Sequence, residues 1–309
     1  MHVALISHPD CRKHEMGARH PERPARLDAI NDQLRASGLD GVLAHYDAPA
    51  ATREQLERVH DADYIDWIYA QAPEEGVVWL DPDTGMNKFT LSAALHAAGA
   101  VVEAVEVVMS GKAKAAFCAV RPCGHHAERR RAMGFCLFNN IAVGAAHALA
   151  LHGIDRVAVV DFDVHHGNGT EDIFRNEPRV FFCSSFQHPF YPGTGADTVS
   201  DHIVNIPLPA GAGGAEFRAA VESRWLEPLD TFRPQLMMIS AGFDAHAEDH
   251  MAMLNLVEAD YAWITDQIKG IAERHGDGRI VSALEGGYDL SALGRSVVIH
   301  LNHLIGNRG

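Results

Sequence analysis

The chain has 309 residues, 47% of them hydrophobic, and a formal net charge of −15 at pH 7. This length suits one large α/β domain or two small ones. The negative charge argues against electrostatic binding of nucleic acid and favours a cationic or neutral substrate.

No linker, low-complexity tract or internal repeat divides the sequence, which predicts one domain over residues 1–309. No apolar run looks long enough to span a bilayer, and the first residues lack signal-peptide features, so we expect a cytoplasmic protein without a membrane partner. The five cysteines include no C-x-x-C pair, which predicts reduced thiols rather than zinc ligands. The sequence is compatible with a homo-oligomer.

The first half of the chain alternates short apolar runs with helical patterns. Strands are predicted at residues 1–7 and 115–120. After Pro24, apolar residues recur at helical spacing, and further helices are predicted at residues 54–71 and 91–109. The last of these is apolar on nearly every face, so we expect it to lie inside the molecule.

The second half continues the alternation. Strands are predicted at residues 157–160, 180–184, 236–240 and 280–284, and helices at residues 139–151, 216–230, 259–274 and 290–305. Short strands separated by helices of ten residues or more imply crossover connections and a mainly parallel sheet.

Four of the predicted strands are followed by glycine close to histidine, aspartate or tyrosine. The segments lie at residues 124–126, 161–169, 242–246 and 285–288. In a parallel sheet these strand ends share one edge, where α/β proteins place their chemistry. The sequence therefore predicts a functional site at that edge.

Asp163 and His165 are two residues apart in an extended segment, so their side chains point the same way. Asp244 follows another strand and is the natural third ligand. This mixed oxygen and nitrogen set suits a zinc ion with one open coordination position. The alternative is that these aspartates only cap turns.

His125 and His126 follow a glycine, so both can reach the same cavity. Asp161 and Asn168 are available to hold them, and a carboxylate raises the basicity of an imidazole whereas an amide only orients it. The two histidines should therefore differ in pKa. Tyr288 can donate to an oxyanion, although it could instead be a buried structural tyrosine. Together these groups predict hydrolysis of an unactivated acyl compound, with an amide as the favoured substrate.

The sequence also carries a set of motifs in a fixed order. They are HPERP, the aspartate loop at Asp83, CGHH, GFCLFNN, DFDVHHGNG, FYPGTG, GFDAH and EGGY. In these motifs the chain resembles the zinc-dependent histone deacetylase family, and within it the class II and bacterial deacetylase-like amidohydrolases. The resemblance implies the three-layer arginase/deacetylase fold and removal of an acetyl or other short acyl group from acyl-lysine or related small amines.

The resemblance also implies roles for single residues. Zinc would be bound by Asp163, His165 and Asp244. His126 would be the general base and His125 its electrostatic or acid partner, supported by Asn168 and Asp161 respectively. Tyr288 would hydrogen-bond the scissile carbonyl.

Substrate contacts and a second ion follow from the same resemblance. Phe135 and Tyr191 would line an acyl-lysine channel beside Gly134, and Asp83 would hold the substrate backbone at the rim. A structural potassium ion is expected near five residues, which are Asp161, Asp163, His165, Ser184 and Ser185.

One departure from the family pattern leaves the substrate open. The usual Asp-Pro-Leu is Asp249-His250-Met251 here, so the resemblance does not fix the channel lip, where Met251 would contact the substrate, or its selectivity. An acetylpolyamine amidohydrolase is the nearest alternative, but this chain has Met251 where that alternative would be expected to have an acidic residue. A two-manganese arginase-like hydrolase and a non-catalytic acyl-binding protein are further alternatives.

Overall fold

The apolar runs of the sequence form the strands of one central sheet. The structure is a computed structural model that describes residues 2–307, so Met1 of the first predicted strand lies outside the described residues. In chain order the strands are β1 (Val3–Ser7), β2 (Ala44–Asp47), β3 (Val78–Trp79), β4 (Gly85–Met86), β5 (Ala115–Cys118), β6 (Val157–Asp161), β7 (Val180–Gln187), β8 (Ile203–Leu208), β9 (Leu236–Ala241) and β10 (Ile280–Leu284).

Eight strands form a parallel sheet in the order β2-β1-β5-β10-β9-β6-β7-β8, and β3 and β4 form a separate antiparallel pair. Every residue of β5, β6, β7, β9 and β10 is buried, because helices cover both faces of the sheet. The predicted mainly parallel sheet is confirmed.

Helices flank the sheet in two groups. They are α1 (Ala25–Ala36), α2 (Arg53–Glu57), α3 (Ala62–Gln71), α4 (Thr90–Met109), α5 (Asn140–Leu151), α6 (Asn168–Phe174), α7 (Gly214–Arg224), α8 (Leu226–Phe232), α9 (Glu258–His275) and α10 (Leu290–Ile305). Helix α10 packs on α1 and α9, whereas α4 packs on α5. This arrangement gives the expected three layers.

Helix α4 lies in the core. Within residues 2–307 it has the length and apolar composition of a membrane span, so the expectation that no apolar run is long enough is wrong on those two measures. However, 67% of its most apolar stretch is buried inside the molecule. A Cβ at Gly99 would lie 1.9 Å from the carbonyl oxygen of Pro49, which shows how closely the neighbouring backbone approaches. The predicted internal position of this helix is confirmed.

Two predicted helices are each divided in two. The pattern over residues 216–230 breaks at Trp225, because Pro228 has no N–H to continue the hydrogen-bond ladder of α7. The pattern over residues 54–71 breaks between α2 and α3, where the Asp61 N–H donates to the carbonyl of Arg129 instead.

Five elements were not predicted, and two of them are the short strands β3 and β4. Strand β2 is a half-exposed edge strand with two polar side chains, and β8 at the opposite edge contains Pro207. Neither has the continuous apolar run of a central strand. Helix α6 begins inside the Asp-rich motif, at Asn168.

Candidate active site

The four polar segments meet at one edge of the sheet, as predicted. Strands β5, β10, β9 and β6 are adjacent and parallel, so their carboxyl ends lie side by side. The residues that follow these strands therefore converge.

Asp163, His165 and Asp244 form a buried group whose ligand atoms all lie within 4.8 Å of one another. Nδ1 of His165 is 3.0 Å from Oδ1 of Asp163 and 3.2 Å from Oδ2 of Asp244. Backbone N–H groups hold the other oxygens, since Gly286 donates to Oδ2 of Asp163 at 2.8 Å and Val164 donates to Oδ1 of Asp244 at 2.9 Å. Oδ2 of Asp244 has no hydrogen-bond partner although it is buried.

The electrostatics of this group fit a divalent cation. Burial and the charge of Asp163 raise the pKa of Asp244 to about 6. Burial opposes protonation of His165, but its close contacts with the carboxylates of Asp163 and Asp244 outweigh burial and raise its pKa to about 10. The two carboxylates thus require a positive charge between them, which a metal ion would supply in place of the proton. Two oxygens and one imidazole nitrogen are ligands that zinc accepts.

A second cluster of metal-ligand type has a different character. Glu106 contacts His147 and His152, but Nδ1 of His147 also contacts Nη1 of Arg58 at 2.8 Å. Since guanidinium only donates, the imidazole proton lies on Nε2 and points to Oε1 of Glu106, 2.7 Å away. A metal at Nε2 would move this proton to Nδ1, against the arginine. This cluster therefore suits hydrogen bonding rather than metal binding.

The tandem histidines are held by the residues that the sequence indicated. Nδ1 of His125 is 2.9 Å from Oδ2 of Asp161, and Nδ1 of His126 is 2.7 Å from Oδ1 of Asn168. The side-chain amide of Asn168 also donates to Oε1 of Glu128 at 2.8 Å, which fixes its oxygen toward His126. His126 therefore carries its proton on Nδ1, and Nε2 is free to act as a base.

The two imidazoles differ in pKa, as predicted. Burial opposes a charge on His125, but Asp161 and Asp163 outweigh burial and raise its pKa well above the usual value. Burial lowers the pKa of His126 well below the usual value, and the charges of His125 and His165 lower it further. His125 is therefore the charged member of the pair and His126 the neutral one.

A cavity of about 230 Å³ opens onto these residues. The five predicted substrate-binding residues all line it, namely Asp83, Gly134, Phe135, Tyr191 and Met251. The catalytic candidates His125, His126 and Tyr288 line it too, together with the ligand candidate His165.

Two residues of the cavity wall were not predicted. Phe190 stacks on His165 with 5.5 Å between ring centroids and 22° between ring planes. Cys123 also lines the cavity, with its sulfur 3.3 Å from that of Cys136. Both residues lie in motifs that were recognised in the sequence, but the motifs did not show that these two side chains face the cavity.

Buried polar residues beneath the site were missed as well. Glu285 accepts hydrogen bonds from the N–H groups of Gly124 and His125, at 2.7 and 3.1 Å, and from the hydroxyl of Ser240 at 3.1 Å. Glu285 therefore ties the histidine loop to β9. Its position next to Gly286 in the EGGY motif was the available signal.

The predicted potassium residues lie on neighbouring strand ends. Asp161 on β6 is paired in register with Ser184 on β7, and Ser185 follows. All five predicted residues are buried. Potassium binding stays a prediction.

Comparisons with known proteins find similar proteins over most of the chain. A family model described as the histone deacetylase domain matches residues 20–304. The chain is 37% identical to a histone deacetylase-like amidohydrolase of Pseudomonas aeruginosa, over 88% of this chain and 73% of that protein. It is 35% identical to a probable deacetylase of Archaeoglobus fulgidus, over 94% of this chain and 82% of that protein.

The chain belongs to the histone deacetylase family. The crystal structure of the HDA15 HD domain superposes on it with a TM-score of 0.92 and 33% identity, over 99% of this chain and 90% of that one. The protein is thus a hydrolytic deacetylase with the fold of the histone deacetylases, a family that is generally zinc-dependent.

Proposed function

We propose that the protein is a zinc-dependent amidohydrolase that removes an acetyl or other short acyl group from the side-chain amine of lysine, in peptides, proteins or related small amines. The observation that carries the proposal is a shared cavity, which is lined by His126, by Tyr288 and by His165 of the candidate zinc ligands. The ring centroids of His126 and His165 are 5.7 Å apart.

Asp163, His165 and Asp244 would hold the ion. Zinc bound there would act as a Lewis acid on the amide carbonyl and would acidify a water molecule. The buried oxygen of Asp244 without a hydrogen-bond partner supports this ligand set. A structural potassium ion near Asp161 and Ser184 remains part of the proposal, since the two residues are neighbours across β6 and β7.

His126 would move the proton. Its free Nε2 takes a proton from the attacking water and later delivers it to the amine nitrogen as the C–N bond breaks. His125, charged between Asp161 and Asp163, acts as the electrostatic partner that keeps His126 neutral before the reaction.

Tyr288 would stabilise the carbonyl oxygen. Burial raises the pKa of its phenol well above 10, so the hydroxyl stays protonated and able to donate. A hydrogen bond to the oxygen strengthens as that oxygen gains negative charge, which favours the transition state over the bound substrate.

The shape of the cavity supports a slim aliphatic stem. Phe135, Tyr191, Gly134 and Met251 all line the cavity. Asp83 lines the same cavity and provides a carboxylate for the substrate backbone or for a neighbouring cation. A cation next to the acyl group is a feature of both lysine-rich peptides and polyamines, so the rim alone does not separate the two substrates.

A direct comparison of substrates tests the proposal. We expect the zinc-loaded enzyme to show a higher kcat/KM for an acetyl-lysine peptide than for acetylputrescine or acetylspermidine. A large preference for either polyamine would instead assign the enzyme to acetylpolyamine hydrolysis. Turnover of neither class would reject both substrates.

A further inference from the structure

The loop that carries Tyr288 has its backbone held at almost every polar group. Arg26 donates from Nη2 to the carbonyl of Glu285 at 2.5 Å and from Nε to the carbonyl of Gly287 at 2.6 Å. The N–H of Gly286 donates to Oδ2 of Asp163. These contacts fix the loop up to Gly287, the residue before the tyrosine.

The next two N–H groups are held by one carboxylate. Oδ2 of Asp249 accepts from the N–H of Tyr288 at 2.6 Å and from the N–H of Asp289 at 3.0 Å. Asp249 is buried, with 6% of its surface exposed. Hydrogen bonds to an ionised carboxylate are stronger than those between neutral groups, and a buried N–H without a partner is costly.

The other oxygen of the same carboxylate contacts a residue of the cavity wall. Oδ1 of Asp249 accepts from the N–H of Met251 at 3.0 Å, and Met251 lines the cavity. The contact between Asp249 and Met251 is an ordinary local turn. The contacts of the second oxygen span 39 and 40 residues, and a local turn does not account for them.

We infer that Asp249 is a positioning residue that fixes the backbone of Tyr288 and couples it to the cavity wall at Met251. The inference rests on the proposed role of Tyr288 as the hydrogen-bond donor to the substrate carbonyl. Two glycines precede Tyr288, and Gly287 has φ of +120°. Because glycine has weak backbone preferences, the local sequence does little to fix the direction of the phenol. The carboxylate supplies the missing constraint at the tyrosine itself.

The Asp249→Asn substitution tests the hydrogen bonds of Asp249 separately from the space that its side chain fills. Asparagine has the same shape but replaces one oxygen by an NH₂ group, which would face an N–H donor at either Met251 or the Tyr288 loop. A shift of about 1 Å in a catalytic group costs on the order of 100-fold in rate. We expect Asp249→Asn to lower kcat about 10- to 100-fold on an acetyl-lysine peptide, with KM within about 2-fold and the zinc content unchanged.

A double-mutant cycle with Tyr288→Phe gives the decisive readout. If Asp249 acts through the phenol, Asp249→Asn should change kcat less than about 2-fold once the hydroxyl is gone. Hydrogen exchange of the peptide covering residues 285–291 should also become faster in Asp249→Asn. Asp289→Asn is the matched control, because asparagine preserves the helix cap that Asp289 provides to the N–H of Ala292 and leaves the Asp249 contact in place.

Several outcomes would overturn the inference. They are an unchanged kcat in Asp249→Asn, an equal fractional loss with and without the tyrosine hydroxyl, and an equal loss in the Asp289→Asn control. Should Asp249→Asn fail to fold, Asp249→Ser keeps the local turn but is too short to reach Tyr288, and the same cycle applies. Failure of both variants to fold would make Asp249 a requirement of the fold instead. Full activity of Tyr288→Phe alone would reject the proposed function, not the hydrogen bonds of Asp249.

Discussion

Two adjacent residues of the same type carry different charges in this site. His125 has a carboxylate behind it and His126 an amide, at 2.9 and 2.7 Å. The carboxylate raises the pKa of His125 against burial, whereas burial and two positive neighbours lower the pKa of His126. The difference between His126 as the proton carrier and His125 as its electrostatic partner therefore comes from the supporting side chains, a carboxylate in Asp161 and an amide in Asn168.

His126→Ala should separate proton transfer from metal binding. We expect kcat to fall by about 10²–10⁴, the usual contribution of a general base, while the zinc content stays at the wild-type level. Asp244→Ala should instead lose the metal, because it removes a ligand. Activity assays with metal analysis on both variants test this, and equal metal loss in the two would contradict the assigned roles.

Gly134 shows how one missing side chain keeps the base in place. Its φ is +56°, and an added Cβ would lie 2.4 Å from Cδ2 of His126. We expect Gly134→Ala to displace the imidazole and lower kcat at least 10-fold, an estimate based on the cost of misplacing a catalytic group.

Gly111 is the control for this prediction, because its φ is +77° but nothing lies within 4 Å of an added Cβ. Both substitutions should cost about 1 kcal/mol in unfolding free energy through the left-handed backbone. Only Gly134→Ala should lower kcat. Equal activity of the two variants would show that the contact with His126 has no catalytic consequence.

At the scale of elements, His60 joins three segments below the site. Its Nδ1 is 3.0 Å from the carbonyl of Glu128, and its Nε2 accepts from the N–H of Asn139 at 2.9 Å. Because a carbonyl only accepts and an amide N–H only donates, the imidazole is neutral with its proton on Nδ1. His60 thus links the turn between α2 and α3 to the histidine loop and to the start of α5.

This arrangement makes His60 a source of acid sensitivity. Burial lowers the pKa of His60 to about 4, whereas the unfolded chain titrates near 6.5. The unfolded state therefore binds the extra proton between these values, and the stability contribution is complete above pH 6.5 and lost as the pH falls toward 4. Between pH 7 and pH 5 the loss is about 2 kcal/mol.

His60→Gln should reduce this loss. Glutamine can donate to Glu128 and accept from Asn139 without titrating, so the fall in unfolding free energy between pH 7 and pH 5 should shrink by about 2 kcal/mol. Urea unfolding at the two pH values measures the difference, with the exposed His45→Gln as control. The same pH dependence in wild type and His60→Gln would show that His60 is not responsible.

At the scale of the whole molecule, the apolar core that packs the sheet against its helices does not include the candidate metal ligands. The core consists of buried apolar residues on both faces of the sheet, and the proton on His165 can balance the carboxylates when no ion is bound. The ion should therefore be required for catalysis but not for the fold.

Chelation tests this separation. We expect a zinc chelator to abolish turnover and lower Tm, since an ion that binds only the folded state stabilises it, while the far-UV circular dichroism stays unchanged. One equivalent of zinc should restore both activity and Tm. Loss of secondary structure on chelation would show that the fold depends on the ion.

The sequence by itself determined the elements and the chemistry that follow local rules. The helix predicted at residues 290–305 has the observed bounds of α10, because its apolar spacing and the N-cap Asp289 are local signals. The four motifs at strand ends named the three ligand candidates, both histidines and Tyr288, since parallel strands must bring their carboxyl ends together.

Only the tertiary structure decided the contacts between distant segments. The bonds from Asp249 to the Tyr288 loop, from Glu285 to the histidine loop and from His60 to Asn139 span 39, 160 and 79 residues. No periodicity or spacing marks such partners, because their pairing is fixed when the sheet brings the loops together. The edge strands β2 and β8 were also revealed only by the tertiary structure. Their position depends on pairing with a neighbouring strand, because neither has a continuous apolar run of its own.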